Sequence, residues 1–171
     1  MLVVRAARWP EDETRIMRVD TSFSCDRVYS VTAEDLGFRV RAKKVTPPIM
    51  KTYVVPRLRG SDRLFVAEEG VEVVGFAEVE VASWNRRASI THLYVSSQHR
   101  GKGIGAALVE ALAERARRGG ARCLWLETQN VNYPAVQFYR RIGFRLCGLD
   151  DTLYDPASLP GEVALFFVRD L

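Results

Sequence analysis

The chain has 171 residues, 47% of them hydrophobic and 27% charged, with a formal net charge of +4. That length supports a single domain with a sizeable core, and the balance is that of an ordinary globular protein, not a disordered or fibrous one. No apolar run is long enough to span a bilayer, the start MLVVRAARWPEDE lacks the layout of a secretory signal, and the cysteines at 25, 123 and 147 support neither a disulfide framework nor a metal site, so the expectation is a cytoplasmic chain without a metal.

Residues 2–6 read as a first strand and 11–19 as a first helix, with Pro10 suited to its start and Glu11, Asp12 and Glu13 to its positive end. Residues 20–26 are polar and turn-like. Residues 27–32 and 38–45 alternate weakly as strands joined through 33–37. Residues 46–62 read as an irregular connector, because Pro47, Pro48, Pro56 and Gly60 interrupt any regular element. Lys43, Lys44, Lys51, Arg57, Arg59 and Arg63 give that region a basic cast. A loop of such length is a solvated link or a wall over a substrate site, and the link is the simpler reading. Leu64–Glu69 and Glu72–Ala82 form a hairpin about Glu69-Gly70. In its second strand Phe76, Glu78 and Glu80 share one face, expected to be wet, and Ala77, Val79 and Val81 the other. Trp84-Asn85-Arg86-Arg87 reads as a turn.

The next stretch, SITHLYVSSQHRGKGIG over residues 89–105, organises the chain. It contains a strand through Val95, a turn at Ser96-Ser97 and a glycine-rich loop, and it runs into a helical pattern. Ile104, Leu108, Ala111, Leu112 and Arg115 recur at the spacing of one helix face. A helix start has amide N–H groups without partners and a partial positive charge. Glycines let a phosphate approach the backbone, and Arg100 and Lys102 add two positive charges. The arrangement predicts a pyrophosphate site. The loop lacks the Gly-Lys-Ser/Thr ending of a nucleotide P-loop, and Gly101, Gly103 and Gly105 are too closely spaced for a dinucleotide fingerprint. No basic stripe interleaved with aromatics points to nucleic acid.

The helix is expected to stop at Gly119-Gly120 near about residue 118. Residues 122–127 read as a buried strand and 128–131 as a loop. Asn132 and Pro134 suit the start of a further helix that ends at Gly143. Residues 144–148 and 164–168 are final strands, linked by 150–161. Cys123 and Cys147 sit in apolar runs and read as small core residues.

Two motifs carry a family resemblance. Gln98-x-x-Gly101-x-Gly103 resembles the acetyl-CoA motif of the GNAT N-acetyltransferase superfamily, and Asn132-x-x-Ala135-x-x-Phe138-Tyr139-x-x-x-Gly143-Phe144 resembles the segment that follows it. Within the superfamily the chain is similar to the streptothricin N-acetyltransferases, through Thr21-Ser22-Phe23, Trp84-Asn85, His99-Arg100-Gly101, Leu124-Trp125-Leu126-Glu127, Asn130-Val131-Asn132, Tyr139-Arg140-Arg141 and Gly148-Leu149-Asp150. Thr91-His92 departs from the acidic pair those enzymes usually carry there.

The resemblance implies a single α+β domain over 1–171, layered α/β/α. Its sheet is mixed, mostly antiparallel and twisted, with about seven strands, helices on both sides and splayed central strands. It implies acetyl transfer from acetyl-CoA to a primary amine of a small molecule, with streptothricin-like antibiotics as one acceptor class and no membrane or nucleic-acid partner. A homodimer is compatible with it. Acetylation of a protein or peptide amine and a non-catalytic acyl-CoA-binding regulatory domain stay open as alternatives. In the implied site, backbone of Leu93, Tyr94 and Val95 meets the pantetheine arm or thioester, and Gln98, Arg100, Gly101, Lys102, Gly103, Ile104 and Gly105 form the pyrophosphate segment. Asn132 and Ala135 lie along the cofactor, Asn132 either bonding the pantetheine or capping its helix. Tyr139 is the candidate general acid, since a phenol with a pKa of about 10 stays protonated at neutral pH; a packed aromatic is the other reading. For the base, Glu127 and Glu80 come first, then Glu78 and His92.

Overall fold

The computed structural model describes residues 1–55, 58 and 60–171. Pro56, Arg57 and Arg59, expected in the connector, lie outside the described residues. The elements are β1 (Leu2–Ala6), α1 (Glu13–Ile16), β2 (Phe23–Glu34), β3 (Gly37–Lys51), β4 (Leu64–Glu69), β5 (Glu72–Ala82), β6 (Arg87–Val95), α2 (Ile104–Arg118), β7 (Cys123–Gln129), α3 (Tyr133–Arg141), β8 (Arg145–Asp150) and β9 (Ala164–Asp170). Among the described residues a seven-stranded mixed sheet has the order β1-β4-β5-β6-β7-β9-β8, and β2 with β3 makes a separate ribbon. The β6–β7 pair is parallel, whereas β1–β4, β4–β5, β5–β6 and β8–β9 are antiparallel. The chain forms two compact units: Met1–Phe23, Thr52–Trp125 and Asp170–Leu171 in one, Ser24–Lys51 and Leu126–Arg169 in the other.

In the first unit the two faces of the β4–β5–β6 sheet bury different helices. Ile16 of α1 joins Val19, Val55, Leu58, Leu64, Val66, Val73 and Phe76 in one cluster, with Tyr94 and Trp9 packed against it. On the opposite face α2 buries Ile104, Leu108, Val109, Leu112, Ala113 and Ala116, the stripe a 3.6-residue period places on one side. Gly75 lies beneath that helix. A Cβ there would stand 2.8 Å from the Tyr94 carbonyl and 3.3 Å from Leu108, so glycine lets β6 and α2 close onto β5.

The first helix is shorter than the acidic run suggests, four residues instead of 11–19, and the reason is chemical. Asp12 occupies its N-cap yet makes no side-chain cap bond. Its buried carboxylate accepts instead from Arg5 Nη1 at 2.6 Å, Arg5 Nη2 at 3.1 Å, Arg15 Nη1 at 2.8 Å and the Arg8 N–H at 2.8 Å. Glu68 on β4 accepts from Arg5 Nε at 2.8 Å and Arg15 Nη2 at 2.5 Å, tying β1, α1 and β4 into one network.

The Arg5 hydrogen bond, opposed by desolvation, holds the Asp12 pKa down at about 2 from an ordinary 3.8. A depressed carboxylate stabilises the fold above its unfolded pKa and loses that contribution as pH falls through the folded value. The unfolding free energy from urea titration therefore falls steeply between about pH 4 and about pH 2, by up to about 2 kcal/mol from this group. Asp12→Asn lowers stability at neutral pH and flattens that slope. Parallel acid curves for the two proteins would remove Asp12 from the explanation.

In the second unit β2 and β3 are longer than the weakly alternating segments 27–32 and 38–45. β2 takes in residues 23–26 of the expected turn, and β3 continues through Pro47-Pro48 to Lys51, so residues 46–51 are strand and not connector. A two-stranded ribbon has only edge strands, where a missing N–H is tolerated. Asn130 knits three segments together. Its Nδ2 donates to Tyr29 O at 2.8 Å and its Oδ1 accepts from Val163 N–H at 2.8 Å, and both groups are inside the protein. Cys147 is exposed, against the expectation of a core residue, while Cys123 is buried; no disulfide forms among the described residues. Arg87 opens β6 instead of closing a turn, and β7 extends through Thr128 and Gln129.

Candidate active site

In the first unit the site is built at the end of β6 and the start of α2. β7 registers against β6 only at Arg87, Ala88 and Ser89, six residues short of the end of β6. The Ser96 N–H donates to Val74 O on the β5 side at 2.9 Å. Successive amides of a strand alternate in direction, so the N–H groups of Val95 and Leu93 point to the opposite edge, and that of Tyr94 points back towards β5. The Tyr94 ring turns into the sheet face, 5.3 Å from the Phe76 ring and 5.9 Å from Tyr53.

The glycine loop is braced from several directions. Residues Ser97–His99 make one 3₁₀ turn that carries Gln98 on the surface. Arg100 Nε donates to Val95 O at 2.9 Å. The Ser97 hydroxyl donates to Asp20, which also accepts from the Ser22 N–H at 2.9 Å; these bonds, the Ser97 hydroxyl foremost, lower the Asp20 pKa to about 2, so it stays ionised at any working pH. His99 Nε2 lies 3.3 Å from Glu69 on β4. Desolvation lowers the Arg100 pKa, opposed by the Asp20 charge, and a guanidinium remains charged regardless.

Gly101 and Gly103 have φ of 78° and 81°, and Gly103 is the N-cap of α2. No atom lies within 4 Å of a Cβ built on either one, so the loop presents bare backbone to open space. Ile104 is buried and fixes the helix start, with Gly105 in the first turn. Lys102 is exposed, with no ion pair among the described residues. These residues fit a diphosphate: unpartnered amides of the first turn, two glycines that admit close approach, and two cations.

The second unit brings the other expected residues onto β7 and α3. Asn132 caps α3, its Oδ1 accepting from the Ala135 N–H at 3.2 Å. Tyr139 is only 8% exposed, its ring 5.4 Å from Phe138, 5.8 Å from Phe144 and 6.2 Å from Phe167. Glu127 is exposed but poorly hydrated. Desolvation raises its pKa, the Tyr154 hydroxyl that donates to it lowers it, and nearby Glu162 raises it again. Lys51 holds Glu162 at 2.5 Å.

Glu80 stands apart from the end of β6. It registers opposite Ser89, is 58% exposed and faces Arg63 at 4.0 Å. Its strand face is not uniformly wet, since Phe76 is fully buried and the Glu78 side chain is 13% exposed. Sequence reasoning ranked Glu78 and His92 last and did not pair them. The structure places His92 Nδ1 3.1 Å from Glu78 Oε2. It also adds Asp20 and Tyr154, which no motif marked.

Residues 27–144 match the Acetyltransferase (GNAT) family. The chain belongs to the GNAT acetyltransferase family. It is therefore an N-acetyltransferase, and acetyl-CoA is the donor that the glycine loop fits. A Streptomyces lavendulae streptothricin acetyltransferase is 41% identical over 95% of this chain and 91% of its own length. An Escherichia coli streptothricin acetyltransferase is 33% identical over 92% and 91%. Among solved structures, a nourseothricin acetyltransferase superposes with a TM-score of 0.90 at 40% identity, covering 99% of this chain and 98% of that one. A Bacillus anthracis protein solved in complex with acetyl coenzyme A shares the GNAT fold, with a TM-score of 0.85 at 23% identity. Among the described residues no helix is long and apolar enough to cross a membrane, and no group of three or more His, Cys, Asp or Glu is arranged to hold a metal ion.

Proposed function

We propose that this acetyltransferase, acting as one domain across residues 1–171, transfers acetyl to a primary amine of a streptothricin-class antibiotic and so inactivates it. The observation that carries the reading is the 41% identity with the Streptomyces streptothricin acetyltransferase, which extends over nearly the full length of both chains. The carboxylates of Glu127 and Glu162, the latter paired with Lys51, favour a cationic acceptor.

Bound acetyl-CoA supplies an activated thioester. The amides from Arg100 to Gly105, with Lys102, hold its diphosphate, and the outward N–H groups of Leu93 and Val95 orient the acyl arm and polarise the carbonyl. Tyr139 donates a proton to the departing sulfur.

Release of free CoA thiol, followed over a panel of amines with mass analysis of the products, tests the reading. Streptothricin is expected to be acetylated once at a primary amine, and expression in a sensitive host to restore growth on it. Turnover restricted to peptide amines would move the chain to protein acetylation. CoA binding without turnover on any amine would make it a regulatory acyl-CoA-binding domain.

A further inference from the structure

Along β5 and β6, on the face away from α2, the cross-strand pairs change character within one step. Phe76 opposes Tyr94, and the next pair is Glu78 opposite His92. A bulge makes that pairing: Glu78 registers with His92 but Val79 with Ile90, so Thr91 is an inserted residue that re-aims its neighbour. Glu78 Oε2 lies 3.1 Å from His92 Nδ1 and accepts from Thr91 Oγ1 at 3.2 Å. The His92 and Glu78 side chains are 22% and 13% exposed, sheltered yet reachable. An ionised carboxylate only accepts hydrogen bonds, so Glu78 keeps the imidazole proton on Nδ1. The Nε2 lone pair is left available, with no hydrogen-bond partner among the described residues.

We infer that His92, oriented by Glu78, is the base that takes the proton from the acceptor ammonium. The inference rests on the acetyl-transfer reading above. His92 directly precedes Leu93, whose N–H leaves the strand on the edge assigned to the acyl arm. Nε2 takes one proton from the ammonium, and the freed amine attacks the thioester carbonyl. As the C–N bond forms and the C–S bond breaks, the sulfur receives its proton from Tyr139. Tyr139 is restored by the second proton lost from nitrogen, and His92 returns its own to solvent. The sum is one amide, one thiol and one proton, with no oxidant or reductant.

The other acids on this unit serve less well. Glu80 is three residues along β5 from Ala77, the partner of Leu93, roughly 10 Å, and faces Arg63. Glu69 faces His99 and Glu68 is held by Arg5 and Arg15. The charged group facing His92 from β5 is Glu78. The α1 side contributes the apolar cluster around Phe76 and Tyr94, and α2 covers the other face of the sheet.

The test is the pH dependence of kcat/KM for streptothricin, from about pH 5.5 to about pH 9, in wild type, H92Q, E78Q and E78D. Wild type is expected to show an acidic limb. H92Q lowers kcat about 100-fold and removes that limb, with acetyl-CoA affinity and Tm unchanged. E78Q keeps the limb but lowers kcat, because the imidazole is no longer held in one tautomer, and E78D restores kcat in part. Nitrogen NMR of the imidazole, needing no acceptor, is expected to report the proton on Nδ1 in wild type and a mixture of tautomers in E78Q. An acidic limb that survives in H92Q, or a wild-type imidazole protonated on Nε2 at neutral pH, overturns the inference while leaving acetyl transfer intact. Wild-type protein that leaves streptothricin unmodified overturns the functional reading itself.

Discussion

Gly103→Ala is expected to weaken acetyl-CoA binding at least 30-fold by calorimetry while lowering Tm by only a few degrees. The two effects separate because they arise from different features of one residue. Gly103 sits at φ of 81°, and an L-residue held in that region costs about 1–2 kcal/mol. In a chain of this size that is a shift of roughly 2–8 °C. Nothing in the protein stands within 4 Å of the new methyl group, so the fold itself has room for it. The methyl projects from the N-cap of α2 into the space a diphosphate must enter to reach the first-turn amides. A 30-fold change corresponds to about 2 kcal/mol, the loss of one or two charge-assisted hydrogen bonds. Gly101→Ala, at φ of 78° with the same open surroundings, is expected to behave alike. Gly70→Ala controls for backbone strain, since Gly70 also has positive φ and open space but caps the β4–β5 hairpin. If all three variants bound acetyl-CoA as wild type does, the glycine loop would be a turn and not the cofactor cradle.

What the sequence made legible follows from which signals are local. The hairpin at Gly70, the helix from Ile104 to Arg118 and the Asn132 cap all came out as read, because turn glycines, 3.6-residue periodicity and capping are encoded within a few residues. The glycine loop and the helix start that follows it were legible for the same reason. Misreadings came where distant partners overrule local preference. Asp12 looks like a helix start, but its carboxylate is claimed by Arg5 on a neighbouring strand, and α1 stays at four residues. Pro47-Pro48 looks like a break, but an edge strand of a ribbon tolerates it. The side-chain pairs were the least legible. Glu78 and His92 are 14 residues apart, and only the bulge at Thr91 puts them opposite each other. A bulge shifts register by one residue and leaves no mark in composition. Glu127 was visible at the end of an apolar strand, whereas its partner Tyr154 lies in an irregular segment with no motif.

Tyr139→Phe is expected to lower kcat about 100-fold with acetyl-CoA affinity and Tm close to wild type. The substitution removes one hydroxyl and leaves the ring. The packing of that ring against Phe138, Phe144 and Phe167 uses its faces and edges, so the three aromatic contacts survive. A residue whose value lay in packing alone would lose little in turnover and in stability. A residue that protonates a departing thiolate loses kcat selectively, since that interaction exists only as the C–S bond breaks. The enclosure of Tyr139, 8% exposed, suits such a donor: a packed ring has little freedom to turn, and few waters compete for the proton. Tyr139→Ala separates the two roles from the other side, because removing the ring opens a cavity among the three phenylalanines and destabilises by about 3–5 kcal/mol. A diagnostic donor is the acetyl thioester of a CoA analogue whose leaving thiol is more acidic, which needs no proton as it departs. Such a donor is expected to restore turnover in Tyr139→Phe to near the wild-type rate. Equal loss of turnover with both donors, or a parallel fall in acetyl-CoA affinity, would return Tyr139 to the aromatic core and leave the sulfur to be protonated by solvent.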